Sequence, residues 1–383
     1  MKKISILSLS LLTVMAGAAV APALGVISSY FSQCSHLLVQ LIISIPAVFI
    51  FLMSFFFPGL CRRFKSRTLV LMGLTLYTAG GCAAGLFSNI YLVLIFRALV
   101  GVGVGIIMPL STGLLSYYFP PEERDKLMGY SSAMNQMGGV IATLLSGILA
   151  AVSWRVSFLV YALGFFSFIL CLIFLPNDRL AEEQSEKSSI FIAFIKYSPY
   201  VISMFLLMVT FFVYPANFAM ETLSDGIIPQ SAIAVIMAFM DFAAFGGGLL
   251  YTKIKNILKR KVFFFAPVLF VCGYLLLTLI PGWFGAFAGS FLVGFANGCG
   301  VPCIISAASA KAGPEAVSVA MPLISAALYL GQFAAPFIVS WVSGCLGGII
   351  TLHLPYLLAV FTGALMIIWT IIVISAAQTD TRS

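Results

Sequence analysis

The chain reads as a succession of long apolar runs separated by short polar punctuation. Within a run, hydrophobic residues occupy every face instead of alternating with polar ones, as 37–57 shows. Strands of a membrane barrel would alternate apolar and polar positions over about 10 residues, so that architecture is excluded. A helix crossing the hydrocarbon layer needs about 20 such residues. Twelve crossings are predicted, at 4–28, 37–57, 68–87, 90–112, 127–151, 155–175, 198–220, 229–251, 262–281, 283–308, 316–341 and 350–374. The fold class is therefore all-α and integral to a membrane, with the lipid bilayer as solvent.

Composition agrees with the pattern. Of 383 residues, 62% are hydrophobic and 8% charged, and the mean hydropathy is +1.12. Soluble domains carry roughly 25% charged residues, and a water-soluble chain could not bury this much apolar surface. The net charge of +8 does not point to nucleic acid, because no basic residues cluster with stacking aromatics in a soluble module. It reports topology. With both termini cytoplasmic, the inner segments hold Lys2, Lys3, Arg62, Arg63, Lys65, Arg67, Arg124, Lys126, Arg179, Lys187, Lys196, Lys253, Lys255, Lys259, Arg260, Lys261, Lys311 and Arg382. Only Arg97 and Arg155 fall elsewhere, and the positive-inside rule fixes the orientation in a cytoplasmic membrane. Lys2-Lys3, the apolar run and Ala19-Val20-Ala21 imitate a secretory signal. Because the run stays apolar to about Tyr30, it is read as a retained first crossing.

The longest connection, 176–197, carries Asp178, Glu182, Glu183, Glu186 and Lys187 and reads as a cytoplasmic linker between bundles 1–175 and 198–383. A shift of 193 residues places Pro22-Ala23 on Pro215-Ala216, Gly101 on Gly294, Pro109 on Pro302 and Gly138 on Gly331. Glycine permits close helix approach and proline leaves a carbonyl free, so these positions, with Gly103 and Gly105, are read as helix-packing residues of a duplicated six-helix unit. Parallel repeats of this kind build one transporter architecture.

The residues at these positions also carry a family resemblance. Pro58-Gly59-Leu60-Cys61-Arg62-Arg63-Phe64-Lys65-Ser66-Arg67 is similar to the loop signature G-x-L-x-D-R-x-G-R-R of the major facilitator superfamily. Arg97-Ala98-Leu99-Val100-Gly101-Val102-Gly103-Val104-Gly105, continuing to Pro109, resembles its R-x-x-x-G-x-G … P signature. Tyr118 to Arg124 with Gly129, Trp154-Arg155 with Phe158, and Leu330-Gly331-Gln332-Phe333 with Pro336 fit the same family. The pattern is nearest to bacterial 12-helix drug and metabolite transporters of the proton-antiporter type. The resemblance implies two pseudo-symmetric six-helix bundles, a monomer, and a gating loop built on Gly59, Arg62, Arg63 and Arg67. Departures are informative: Arg62 stands where the family has an acid that helps latch one conformation, and Lys65 replaces a glycine. Asn135-Gln136-Met137-Gly138-Gly139 lacks the Gly-Pro pair of drug/proton antiporters, and the first crossing has no acid.

A charge retained at mid-bilayer costs about 2.5–3.5 kcal/mol and marks a candidate site. Asp241 lies near the middle of the eighth crossing. Desolvation there favours its protonated form, which makes it the proton-coupling candidate; its alternative is a protonated packing residue. Arg97 lies about seven residues inside the fourth crossing. It either snorkels outward or, as the resemblance implies, faces the cavity and holds an anionic group. Asn135, Gln136, Asn217, Glu221, Asn297 and Gln332 are the remaining cavity candidates, with interhelical hydrogen bonding as the plainer role of each amide.

No cofactor is expected. The sequence has no G-x-x-x-x-G-K-[ST] nucleotide loop, its eight cysteines show no disulfide framework, and Cys299 and Cys303 lack companions for a metal. Clustered catalytic side chains at one membrane face are also absent, so an enzyme is not expected. The sequence predicts a secondary active transporter that moves a small organic solute by alternating access, with protons as the coupled partner. An uncoupled facilitator is the alternative, and a non-transporting sensor a weaker one.

Overall fold

The computed structural model describes residues 1–179, 190–345 and 353–379, and all regular structure among them is helical. Among the described residues ten stretches are long and apolar enough to cross a membrane, one of which, Gln230–Leu279, contains two helices. Ser66–Ala84, only 19 residues and rich in Gly and Thr, supplies the remaining crossing. In chain order the crossings are α1 (Lys2–Tyr30), α2 (His36–Arg63), α3 (Ser66–Ala84), α4 (Ile90–Tyr118), α5 (Pro121–Val152) and α6 (Trp154–Phe174). They continue with α7 (Ile190–Asp225), α8 (Gln230–Leu258), α9 (Val262–Leu279), α10 (Trp283–Lys311), α11 (Ala320–Cys345) and α12 (Leu354–Thr379). Glu182, Glu183, Glu186 and Lys187 of the expected linker lie outside the described residues.

Short polar turns start the helices where the sequence punctuates. The Ser35 hydroxyl accepts the Leu38 N–H, the Asn89 carboxamide the Tyr91 N–H, and the Ser153 hydroxyl the Arg155 N–H. Each satisfies one of the donors that a helix leaves free at its N-terminus. Many helices run longer than the apolar runs alone suggest, because charged residues such as Arg62 and Arg63 continue the last turn of α2. The break expected between 308 and 316 is not a break in the backbone: Trp283–Cys345 stays helical throughout, including the connection between α10 and α11. α1 departs the other way. Its α-helix stops at Ala18, a 3-10 turn spans Ala21–Ala23 around Pro22, and Leu24–Tyr30 resumes. Ile6, Leu9, Leu12, Met15 and Leu24 are fully buried, so this first crossing is part of a core.

Two compact units emerge, Met1–Glu183 with Ala219–Ala238, and Gln184–Phe218 with Phe239–Ser383. The repeat seen in the sequence recurs as the same contacts within each. A Cβ on Gly80 of α3 would stand 2.9 Å from the Phe96 carbonyl of α4, and one on Gly273 of α9 would stand 3.1 Å from the Gly289 carbonyl of α10. Both pairs are offset by 193 residues. Gly101 likewise packs on the Pro46 carbonyl and Gly294 on that of Met240. Gly138 packs on the Leu11 carbonyl and Gly331 on that of Phe205. Glycine at these seams brings helix backbones together where hydrocarbon offers no hydrophobic drive for association.

Adding bulk at either member of such a pair pushes backbone against backbone, a strain of about 1–3 kcal/mol. Gly80→Val and Gly273→Val are expected to lower the thermal unfolding midpoint in detergent by similar amounts. A large loss in one with none in the other would show that the contact is not repeated energetically.

Candidate functional site

In the first unit, polar chemistry collects around Arg97 on α4. Its side chain is 0% exposed. Nε donates to the Ile42 carbonyl at 2.6 Å, Nη2 donates to the Ala16 carbonyl at 2.6 Å, and Nη1 donates to the Tyr161 hydroxyl. Tyr161 in turn donates to the Ala16 carbonyl at 2.7 Å, and its ring lies 5.4 Å from the guanidinium carbon.

These acceptors are free because helices break. Pro46 has no N–H to return to Ile42, four residues earlier in α2. In α1 the Val20 N–H turns to Gly17 as the helix tightens before Pro22, releasing Ala16. Hydrogen bonds to a charged group are worth about 1.5–3 kcal/mol each, so three of them offset the roughly 2.5–3.5 kcal/mol cost of inserting the charge. Tyr161 reaches this point because Gly81 leaves room; any Cβ there would strike its ring. Arg97 is thus neither snorkelling nor open to a solute in this conformation. It ties α1, α2, α4 and α6 together.

The amide of Asn135 is occupied at the α1–α5 seam. Thr13 donates to its Oδ1, and one turn away Ser10 and Ser131 pair at 2.7 Å. Gln136 is half-buried beside it. Three further contacts of this unit involve the adjacent ends of α7 and α8. The Gln230 carboxamide donates to the Pro22 carbonyl at 2.8 Å, Gly25 packs on the Ala219 carbonyl, and Gly147 packs on Ala234. Glu221 is half-buried near the end of α7.

Around the gating loop, Gly59 has open space, Arg62 and Arg63 are exposed and Arg67 is half-exposed. The loop has no acid of its own. Asp178, just past α6, supplies one nearby: its carbonyl accepts the Ser66 N–H at 2.9 Å and its carboxylate accepts the Tyr118 hydroxyl at 2.9 Å.

In the second unit the chemistry collects on α7, α8 and α10. Asp241 is partly exposed on α8, and the Tyr214 hydroxyl of α7 pairs with that of Ser290 on α10 at 2.6 Å. Gly294 and Gly298 of α10 pack on the Met240 and Ala244 carbonyls of α8. With these residues in register and the helices parallel, helical geometry places Asp241 and Asn297 on the same flank of the seam. Asn297 Oδ1 is buried with no hydrogen-bond donor among the described residues. Asn217, 2% exposed, donates to the Val213 carbonyl at 2.9 Å. Gln332 points its amide at the Met208 sulfur 3.8 Å away, beside the Gly331 contact. Pro109 and Pro302 sit inside α4 and α10 and free the carbonyls of Gly105 and Gly298. Gly103 packs on the Gly73 carbonyl and Gly105 on Met53. No cluster of metal-ligating side chains exists among the described residues.

Sequence reasoning missed Tyr161, Ser290, Gln230 and the latch-like position of Asp178. One signal was available: the 193-residue shift that aligns the glycines also lays Ser290 on Arg97. The same shift lays Tyr274 on Gly81, and the Tyr274 hydroxyl donates to the Thr210 carbonyl at 2.6 Å, as Tyr161 does to Ala16.

Comparison with known proteins adds the lineage. Over 97 residues the chain is 29% identical to Multidrug resistance protein 3 of Bacillus subtilis (strain 168), covering 25% of this chain and 19% of that protein. Over 125 residues it is 30% identical to the Multidrug resistance protein B homolog of Mycobacterium tuberculosis, covering 32% and 23%. Over 121 residues it is 26% identical to the Quinolone resistance protein NorA of Staphylococcus aureus, covering 31% of each. The match thus spans less than a third of these relatives' length. In fold it is similar to the nucleoside transporter NupG, with a TM-score of 0.77, 13% identity and coverage of 98% of each chain. It is also similar to a bacterial homolog of the human lysosomal transporter Spinster in an inward-facing conformation, with a TM-score of 0.76, 15% identity and coverage of 97% and 94%. The family model described as the Major Facilitator Superfamily matches residues 6–336, and this multi-pass membrane chain belongs to that superfamily.

Proposed function

We propose that the protein is a proton-coupled secondary transporter that moves a small organic solute across the cytoplasmic membrane by alternating access. In this reading, six-helix halves at 1–175 and 198–383, joined by 176–197, rock about a midplane site in a monomer with both termini cytoplasmic. The observation that carries the coupling is the α8–α10 flank. A titratable carboxyl, Asp241, shares it with a buried acceptor, Asn297 Oδ1, that has no donor among the described residues. A buried acceptor left unsatisfied costs about 1–3 kcal/mol. Only the protonated carboxyl offers an O–H, so a change of shape that brings the two groups together would favour uptake of the proton. A solute hydroxyl or amine would satisfy the same acceptor, which places proton and solute on one flank.

Arg97 takes a different part. Held by carbonyls at the breaks of α1 and α2, it braces the first half as a rigid body while the halves move. Sequence relatives named for multidrug resistance favour an amphipathic solute.

Flux in proteoliposomes holding the purified full-length protein tests this reading. With a panel of amphipathic and nucleoside-like solutes, an imposed pH gradient is expected to drive at least one solute above equilibrium, with collapse when a protonophore is added. Facilitated flux indifferent to the gradient would establish the uncoupled alternative, and ligand binding without flux would establish a sensor.

A further inference from the structure

A cleft remains on the first unit that the transport reading does not use. α5 meets α6 near Ser153, where they join, and away from that junction both helices pack on α1. Between them lies a cavity of about 330 Å³, floored by Ile4, Leu7, Ser8 and Leu11 of α1 and walled by Met134 of α5 and by Phe166 and its neighbours on α6. Its volume lies within the range of ligand sites.

The lining is apolar in chemistry as well as composition. The Ser8 hydroxyl is turned to the Ser5 carbonyl at 2.8 Å, and that of Ser167 to the Ser8 carbonyl at 3.4 Å, so neither offers a donor to the space. The open side is bordered by exposed Ile4 and Phe166. All of these residues belong to membrane-spanning segments, so the cleft opens to hydrocarbon and not to water.

Its lower rim is basic. Lys3 lies four and eight residues before Leu7 and Leu11 on α1, and Lys126 lies four and eight residues before Tyr130 and Met134 on α5. Residues spaced by four share a helix face, and eight residues of helix rise about 12 Å. Lys3 joins Glu123 in an ion pair across the rim, while Lys126 and Tyr130 are exposed. An apolar slot with an aromatic ring and then an ammonium one and two turns below it matches an acyl chain, its ester region and its phosphate.

We propose that this cleft is a site for one phospholipid of the leaflet on the lysine-bearing side. Its acyl chain lies on α1 between α5 and α6, and its phosphate rests on Lys126. Lipid binding here is independent of the solute the protein carries, because no residue of the cleft belongs to the α8–α10 flank. Glu123 shares the rim with Lys3 and Lys126, so the preference for an anionic over a zwitterionic headgroup is modest, about threefold.

Native mass spectrometry of the full-length protein released from nanodiscs of mixed phosphatidylglycerol and phosphatidylethanolamine tests the site. The unaltered protein is expected to retain one phospholipid through delipidation, enriched about threefold in phosphatidylglycerol. Met134→Trp, which fills the slot, should lose it, and the smaller Leu11→Phe should weaken it; gel filtration establishes that each variant is folded. Lys126→Glu should keep the lipid but abolish the preference. Equal retention by the unaltered protein and both folded filling variants would overturn the proposal. So would an unchanged preference in Lys126→Glu, or displacement of the lipid by a transported solute, which would make the cleft a solute entry.

Discussion

Asp241→Asn is expected to abolish gradient-driven accumulation, by at least tenfold in initial rate, while exchange of solute across the membrane continues. The substitution preserves shape and hydrogen-bonding capacity but removes the group that gains and loses a proton. A carboxyl within a membrane-spanning helix carries an insertion cost that a purely packing role does not require, since asparagine or serine would pack as well. The measurement is paired: solute accumulation driven by a pH gradient, and counterflow with solute on both sides and no gradient. Loss of the first with retention of the second is the signature of a broken coupling step. If both persist unchanged, Asp241 is a packing residue and coupling lies elsewhere.

Replacing Arg97 should act through stability instead. Arg97→Met removes the donors from the Ile42 and Ala16 carbonyls, which helix breaks have already deprived of backbone partners. Orphaned acceptors cost about 1–3 kcal/mol each. Tyr161 still donates to Ala16, so the Ile42 carbonyl is the acceptor left orphaned and a net loss of about 1–3 kcal/mol is expected, read as a fall in the thermal midpoint in detergent and in yield. Arg97→Lys keeps the charge, but a single ammonium cannot present the fork that spans α1, α2 and α6, and an intermediate loss is expected. Transport should fall in step with stability across the two variants. A solute-holding arginine would behave otherwise: Arg97→Lys would weaken solute binding with little change in unfolding.

What the sequence disclosed and what it hid follow from the same physics. The crossings were legible because hydrocarbon forbids polar runs, and a run such as 37–57 has no other home. The duplicated seams were legible because backbone contact admits only glycine, so Gly101 and Gly294 fall at one offset and pack on Pro46 and Met240. The shared flank of Asp241 and Asn297 was not legible, because it depends on the packing of Gly294 and Gly298 against Met240 and Ala244, which only the fold shows. The setting of Arg97 was hidden. Its partners are main-chain carbonyls of α1 and α2, 81 and 55 residues away, and a carbonyl has no letter in the sequence. Tyr161 was hidden too, since the two halves solve one packing problem from different helices: Gly81 admits Tyr161 from α6, whereas α9 carries its own ring in Tyr274. Asp178 looked like one of several linker acids, and only the fold brings it to Ser66 and Tyr118. Continuity of Trp283–Cys345 was missed because Lys311 and the polar residues after it resemble a loop.

Access to position 297 from the two sides of the membrane tests alternating exposure most directly. A single cysteine there, in a cysteine-free background reconstituted with known orientation, is probed with a membrane-impermeant thiol reagent applied to one face at a time. Labelling from both faces is predicted, with solute and a pH gradient raising one rate as they lower the other. Labelling confined to one face under every condition, with solute flux intact, would contradict a site that opens to each side in turn.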